Sequence, residues 1–182
     1  MKNKKLILAA ALLAAALCGT AVAYMFKVSQ QKNSFIPAQV SCTVHEKVSA
    51  SNNRKTEVTI ENTGNITAYL RLRLVTYWVN TDADDNEYIV AKASKELSIP
   101  YDDSKWKKGF NDTYYFINPV DADKSTENLL TNGQVIELEK DTDGNRQVVE
   151  IFAEAIQAEP VDAVISSWGV TLDAKGNISA VS

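Results

Sequence analysis

Few side chains in this chain are equipped for chemistry. His45 is the only histidine among 182 residues, and Cys18 and Cys42 are the only cysteines. A Ser-His-Asp triad or a histidine-based zinc site therefore lacks parts. His45-Glu46 is followed by Lys47, Val48 and Ser49, without the second histidine that a zinc-protease helix places on the same face. No nucleophile elbow, phosphate-cradling glycine loop or Cys-x-x-Cys pair occurs. His45 reads as an outward strand residue, because its neighbours supply no matched nucleophile or metal ligand. The sequence points away from an enzyme.

Carboxylates are the next resource. Three Asp-x-Asp pairs stand in polar stretches: Asp82/Asp84, Asp121/Asp123 and Asp141/Asp143. Loop carboxylates at that spacing can ligate calcium, which takes six to eight oxygens. The first pair opens like an EF-hand loop and then departs from it. Glu87 stands where the tight-turn glycine belongs, and Ala93 where the bidentate acid belongs. The pairs read as solvated turns, with Asp82, Asp84, Asp141 and Asp143 kept as calcium candidates should two loops converge. No other cofactor is expected. Among the aromatics, Trp106 lies beside Lys105, Lys107 and Lys108 and reads as exposed in a basic patch, a weak hook for glycan. Trp78 shares a face with a leucine row and reads as core. Arg71 and Arg73 read as an outer strand face that pairs with Glu150 or Glu154.

The elements that would position these groups begin after a leader. Lys2, Lys4 and Lys5 precede an apolar run from Leu6 to Leu17, and Ala21-Val22-Ala23 closes it with small residues. That order is a secretory signal peptide, too short for a comfortable span, cleaved before Tyr24. Signal peptidase is the partner this implies during export, and no stable membrane span remains afterwards. The processed chain carries 16 basic and 23 acidic residues, a net −7, which argues against nucleic acid as a partner. Cys42 is then the lone thiol, so no internal disulfide forms.

From Val40 onward the chain reads as strands and turns. Val40, Cys42 and Val44 alternate with polar residues, and Val58 and Ile60 repeat the pattern. Asn62-Thr63-Gly64-Asn65 is a turn cluster. Ala68, Leu70, Leu72, Leu74 and Trp78 then share one face of the longest strand. Shorter strands are expected at Tyr88–Val90, Asp112–Ile117 and Val135–Leu138. Asp143-Gly144 signals a hairpin turn. Residues 147–158 mix helical spacing with β-branched residues, and read as a strand. Val161 to Trp168 reads as a short helix ended by Gly169. Strands at this spacing indicate a single all-β sandwich. The organisation is a signal-peptide helix over 1–23, an N-terminal arm over 24–39 and the sandwich domain over 40–182.

Several segments carry a family likeness. Ala23-Tyr24-Met25-Phe26 is followed by Asn33-Ser34-Phe35-Ile36-Pro37-Ala38-Gln39-Val40. Later come Glu61-Asn62-Thr63-Gly64-Asn65 before Ala68-Tyr69-Leu70-Arg71, and Ala153-Glu154-Ala155-Ile156-Gln157-Ala158 before Trp168. In these the chain resembles the TasA/camelysin family of Gram-positive bacteria, exported with SipW-type signal peptides. An acidic residue usual after the first aromatic is missing, and Ala38 replaces a glycine. The resemblance implies a jelly-roll or immunoglobulin-like sandwich that builds extracellular biofilm matrix. It also implies a donor segment, Tyr24 to Phe35 with Tyr24, Phe26, Val28 and Phe35 as its apolar anchors, which adds as a strand to a neighbouring copy. The metalloprotease activity attributed to camelysin does not carry over, since no zinc-protease motif is present. The alternative left open is a secreted binding module for glycan or calcium. Gly176 to Ser182 shows no cell-wall sorting signal, so surface attachment would be indirect.

Overall fold

The computed structural model describes residues 36–49, 54–91 and 97–181. The leader, the cleavage triplet at Ala21, Ala23 and Tyr24, and the donor segment from Tyr24 to Phe35 lie outside the described residues. The chain divides into a unit Met1–Pro37 and a unit Ala38–Ser182, and the described strands and helix all lie in the second. Its strands are β1 (Cys42–Ser49), β2 (Arg54–Asn62), β3 (Ala68–Thr81), β4 (Glu87–Val90), β5 (Trp106–Lys108), β6 (Thr113–Phe116) and β7 (Ile136–Glu137). After these come β8 (Arg146–Gln157), the helix α1 (Val161–Trp168), β9 (Val170–Leu172) and β10 (Ile178–Val181). The fold is all-β with several antiparallel sheets.

Strand β3 organises the larger sheet. Its period-two alternation puts Leu70, Leu72, Leu74 and Trp78 inward, each nearly inaccessible, and Arg71 and Arg73 outward. β8 pairs antiparallel with β3 over twelve residues, from Ala68–Gln157 to Val79–Arg146. Because Arg71 to Arg73 also pair with β6, and Trp78 and Val79 with β4, both β6 and β4 lie on the edge opposite β8. β5 extends the sheet beyond β6. The ambiguous 147–158 stretch is thus a strand. Its β-branched residues fit the pleat beside β3 better than a helix turn, where they lose rotamer freedom.

The second sheet has β2 at its centre, with β1 on one edge and the two-residue β7 on the other. Beyond β7, an irregular segment continues along the same edge. Thr126 and Leu129 donate backbone N–H bonds to Ile60 and Val58, and Asn128 Oδ1 accepts from Val58 N–H. Val58 and Ile60 of this sheet pack with Leu70, Leu72, Leu74 and Val149 of the other in one core. Each such side chain, fully buried, contributes about 1.5–3 kcal/mol relative to exposure. The arrangement is sandwich-like.

The turn cluster before β3 has a specific reason for its residues. Asn62 is fully buried, yet its side chain is satisfied: Nδ2 donates to Ile66 O and Val120 O, and Oδ1 accepts from Gly64 N–H. A Cβ on Gly64 would collide with the backbone oxygen of Gln39. Only glycine permits that approach.

A smaller apolar cluster lies on the outer face of the large sheet. Val164 of α1, Val170 of β9 and Ile178 of β10 pack with Tyr69 and Tyr115. α1 ends where expected: Gly169 takes the left-handed conformation at φ 64° and its N–H caps Ile165 O. The β9–β10 pair and β5 were not foreseen from the sequence. Three- and four-residue strands present too few positions for alternation to register.

Candidate functional site

His45 lies on β1, exposed, with Nε2 2.7 Å from Glu61 Oε2 on the neighbouring strand. Among the described residues, no group of three or more His, Cys, Asp or Glu side chains forms around this pair. Cys42 is half-buried, and burial, followed by the charge of Glu154, raises its thiol above its usual range. That favours the neutral, unreactive form.

Trp106 corrects an expectation. It is inaccessible to solvent, stacked edge-on against Phe116 at 5.2 Å, and its indole N–H donates to Asn128 O at 3.2 Å. Alternation along β5 explains this. Trp106 points into the core and Lys107 points out, so the flanking lysines mark the opposite face rather than the tryptophan's surroundings. The glycan hook read from Trp106 is therefore absent.

The loop carboxylates have a common architecture. Asp82 Oδ1 accepts the N–H groups of Asp84 and Asn86, both at 2.9 Å, and Asn86 Nδ2 donates back to Asp82. Asp141 does the same with Asp143 and Asn145, and Asp173 with Lys175 and Asn177. All three are hairpin loops of the form Asp-x-x-x-Asn, in which the first carboxylate replaces the missing ladder bonds. These bonds hold the Asp82 and Asp173 carboxyls below the ordinary aspartate range, chiefly through the backbone N–H of Asn86 and of Asn177. The Asp-x-x-x-Asn spacing stands in the sequence at Asp82, Asp141 and Asp173, and the Asp-x-Asp pairs mark only the first two of these loops.

Two of these loops are neighbours. Asn80 Nδ2 donates to Asn145 Oδ1 at 2.8 Å and to Asp143 O at 3.3 Å. Arg146 is ion-paired with Glu87. The Asp82/Asp84 and Asp141/Asp143 pairs therefore sit at one end of β3. Asp121/Asp123 sits at the other, where Thr67 Oγ1 donates to Asp121 Oδ1 at 2.8 Å. Among the described residues, no group of three or more His, Cys, Asp or Glu side chains converges as metal ligands would.

The densest polar cluster is on the outer sheet face. Arg71 is flanked in register by Glu154 on β8 and Tyr115 on β6. Its guanidinium lies 2.5 Å from Glu154 Oε2 and 4.6 Å from the Trp168 ring centre. Arg71 thus meets the acid expected for it, and its stacking on Trp168 fixes the end of α1 against the sheet. Arg73, two residues on, is exposed beside Phe152, next to a cleft of about 120 Å³. The cleft is lined by Arg71, Arg73, Asn111, Thr113 and Glu154 beside Leu72 and Phe152.

Strand edges are the remaining feature. Among the described residues, β1 pairs only with β2, β4 only with β3, and β8 beyond Gln147 only with β3. A cleft of about 510 Å³ opens by β1 and β8, lined by Val44, Val149, Ile151 and Phe152, with the buried Lys55 amine 2.5 Å from Glu46. On β4, Tyr88 is 50% and Ile89 72% exposed. Open edges carry unused N–H and C=O groups that can pair with another strand. Among the described residues, no helix is long and apolar enough to cross a membrane. Against protein-family models, curated proteins and solved structures, the chain has no match.

Proposed function

We propose that this chain is an exported, non-enzymatic structural subunit of an extracellular matrix, akin to the TasA/camelysin proteins it resembles. In this reading the domain is a jelly-roll or immunoglobulin-like sandwich at the cell surface or outside it. Copies associate when the segment Tyr24 to Phe35 of one adds to a sheet edge of the next. The observation that carries the reading is the set of edges on β1, β4 and β8 that are unpaired among the described residues. A sheet with open edges gains main-chain hydrogen bonds from strand addition, and side-chain contacts then set the register. The sparse chemistry around His45 and Cys42 agrees with a structural role.

Size-exclusion chromatography with light scattering tests it, on Tyr24–Ser182 beside a chain beginning at Ser34. The longer chain assembles with rising concentration and the shorter remains monomeric. Two monomers at every concentration would remove self-association as the function.

A further inference from the structure

The open edges are not equivalent, and charge distinguishes them. Residues 82–87 and 139–146 meet at one end of β3, through the Asn80–Asn145 bond and the Arg146–Glu87 pair. These two stretches hold seven acidic side chains, Asp82, Asp84, Asp85, Glu87, Glu139, Asp141 and Asp143, against Lys140 and Arg146. Their net −5 is most of the −7 that the whole processed chain carries. β4 leads out of the first stretch, every residue from Asp82 to Ile89 being exposed, and the second stretch lies across β3 on the β8 side. Tyr88 and Ile89 point to opposite faces of this projecting ribbon, and neither is covered. β4, with bare apolar residues on both faces and an outer edge unpaired among the described residues, gains main-chain hydrogen bonds from an added strand.

The arm has the opposite charge. Residues 24–39 contain Lys27 and Lys32 and no acid, and cleavage before Tyr24 adds a free amine. Tyr24, Phe26 and Val28 alternate with Met25 and Lys27, which gives the arm an apolar face. By contrast, β1 bears both His45 and Lys47 beside Glu46, and β8 bears Glu150 and Glu154 already engaged by Tyr77 and Arg71. We infer that the outer edge of β4, next to the acidic Asp82–Asn86 hairpin loop, is the docking surface for the cationic N-terminal arm of a second copy. The inference rests on the structural-subunit reading and specifies its acceptor. Carboxylates flanking the edge steer and orient the arm, while Tyr88 and Ile89 receive its apolar side chains. Assembly is then salt-dependent, because exposed charges are screened over about 8 Å at physiological ionic strength.

Charge exchange on the processed chain decides the matter. Asp84 and Asp85 have no side-chain hydrogen bond or ion pair among the described residues, so replacing them removes no side-chain turn bond, and thermal melting checks the left-handed position of Asp85 at φ 62°. The D84K/D85K variant and the K27E/K32E variant each weaken assembly roughly tenfold at 0.15 M salt, as two or three exposed pairs would. Mixed together, the two variants recover assembly, because the swapped arm finds the swapped edge. Circular dichroism and thermal melting of each variant confirm an unchanged fold. Ile89→Lys gives an independent second test and weakens assembly without shifting the melt. Should arm deletion abolish assembly while the charge variants and Ile89→Lys leave it unchanged, the arm docks elsewhere; the matrix reading then stands and this inference falls. A wild-type chain that never assembles overturns both.

Discussion

The two ends of β3 differ in almost everything except backbone geometry. From Ala68 to Leu74 the strand is paired on both edges, and its inward residues are sealed in the core. From Asn80 onward it becomes a projecting ribbon with β4, edged by carboxylates and bare aromatic and aliphatic side chains. One end is held by burial, the other by turn chemistry in the Asp82–Asn86 and Asp141–Asn145 loops. The comparison separates stability from interaction along a single strand. The buried end keeps the domain folded, and the projecting end is free to serve contacts.

Substitution at the two ends should break the comparison most sharply. Leu72→Ala, at a fully buried position, is expected to destabilise by about 3 kcal/mol through lost transfer energy and a cavity. Ile89→Ala, 72% exposed, is expected to change stability by less than about 0.5 kcal/mol. Urea denaturation of both checks this, and equal losses would mean that the ribbon is packed like the core. A smaller effect is expected at Asp141, whose carboxylate holds the loop feeding β8. Asp141→Ala should cost about 1–2 kcal/mol by unsatisfying two backbone donors and the Asn145 amide. A melt identical to wild type would show that the loop holds itself without the carboxylate.

The smallest effect concerns acid. Asp82 and Asp173 are held below the ordinary aspartate range by backbone N–H donors. A depressed native value means that their contribution is complete above the unfolded-state pKa, about 3.9. It is lost as pH falls further, through the lower native value. Carbon-13 titration should therefore place both midpoints below about 3.9. Midpoints at or above that value would show that the turn bonds are not maintained in solution.

Several features were legible in the residues because they are local. The β3 alternation, the Gly169 stop, the Asn62–Asn65 turn and the strand at 146–157 each follow from spacing within one segment. The Arg71–Glu154 pair was within reach because both residues alternate outward on long strands. The failures share a cause as well. Trp106 was misplaced because three flanking lysines suggest exposure, whereas a strand puts neighbours on opposite faces. β9 and β10 are too short for a period to show, and the 123–129 edge of β2 has no period at all.

The all-β class, the long strands, the turns and the poverty of catalytic groups follow from the residues alone, since these depend on backbone preference and side-chain type. Folding in three dimensions set which carboxylate loops are neighbours, buried Trp106, stacked Arg71 on Trp168, and left β1, β4 and β8 with an open edge among the described residues. Those are contacts between residues tens of positions apart. They depend on register and sheet order, which side-chain alternation constrains for each strand but does not set between strands.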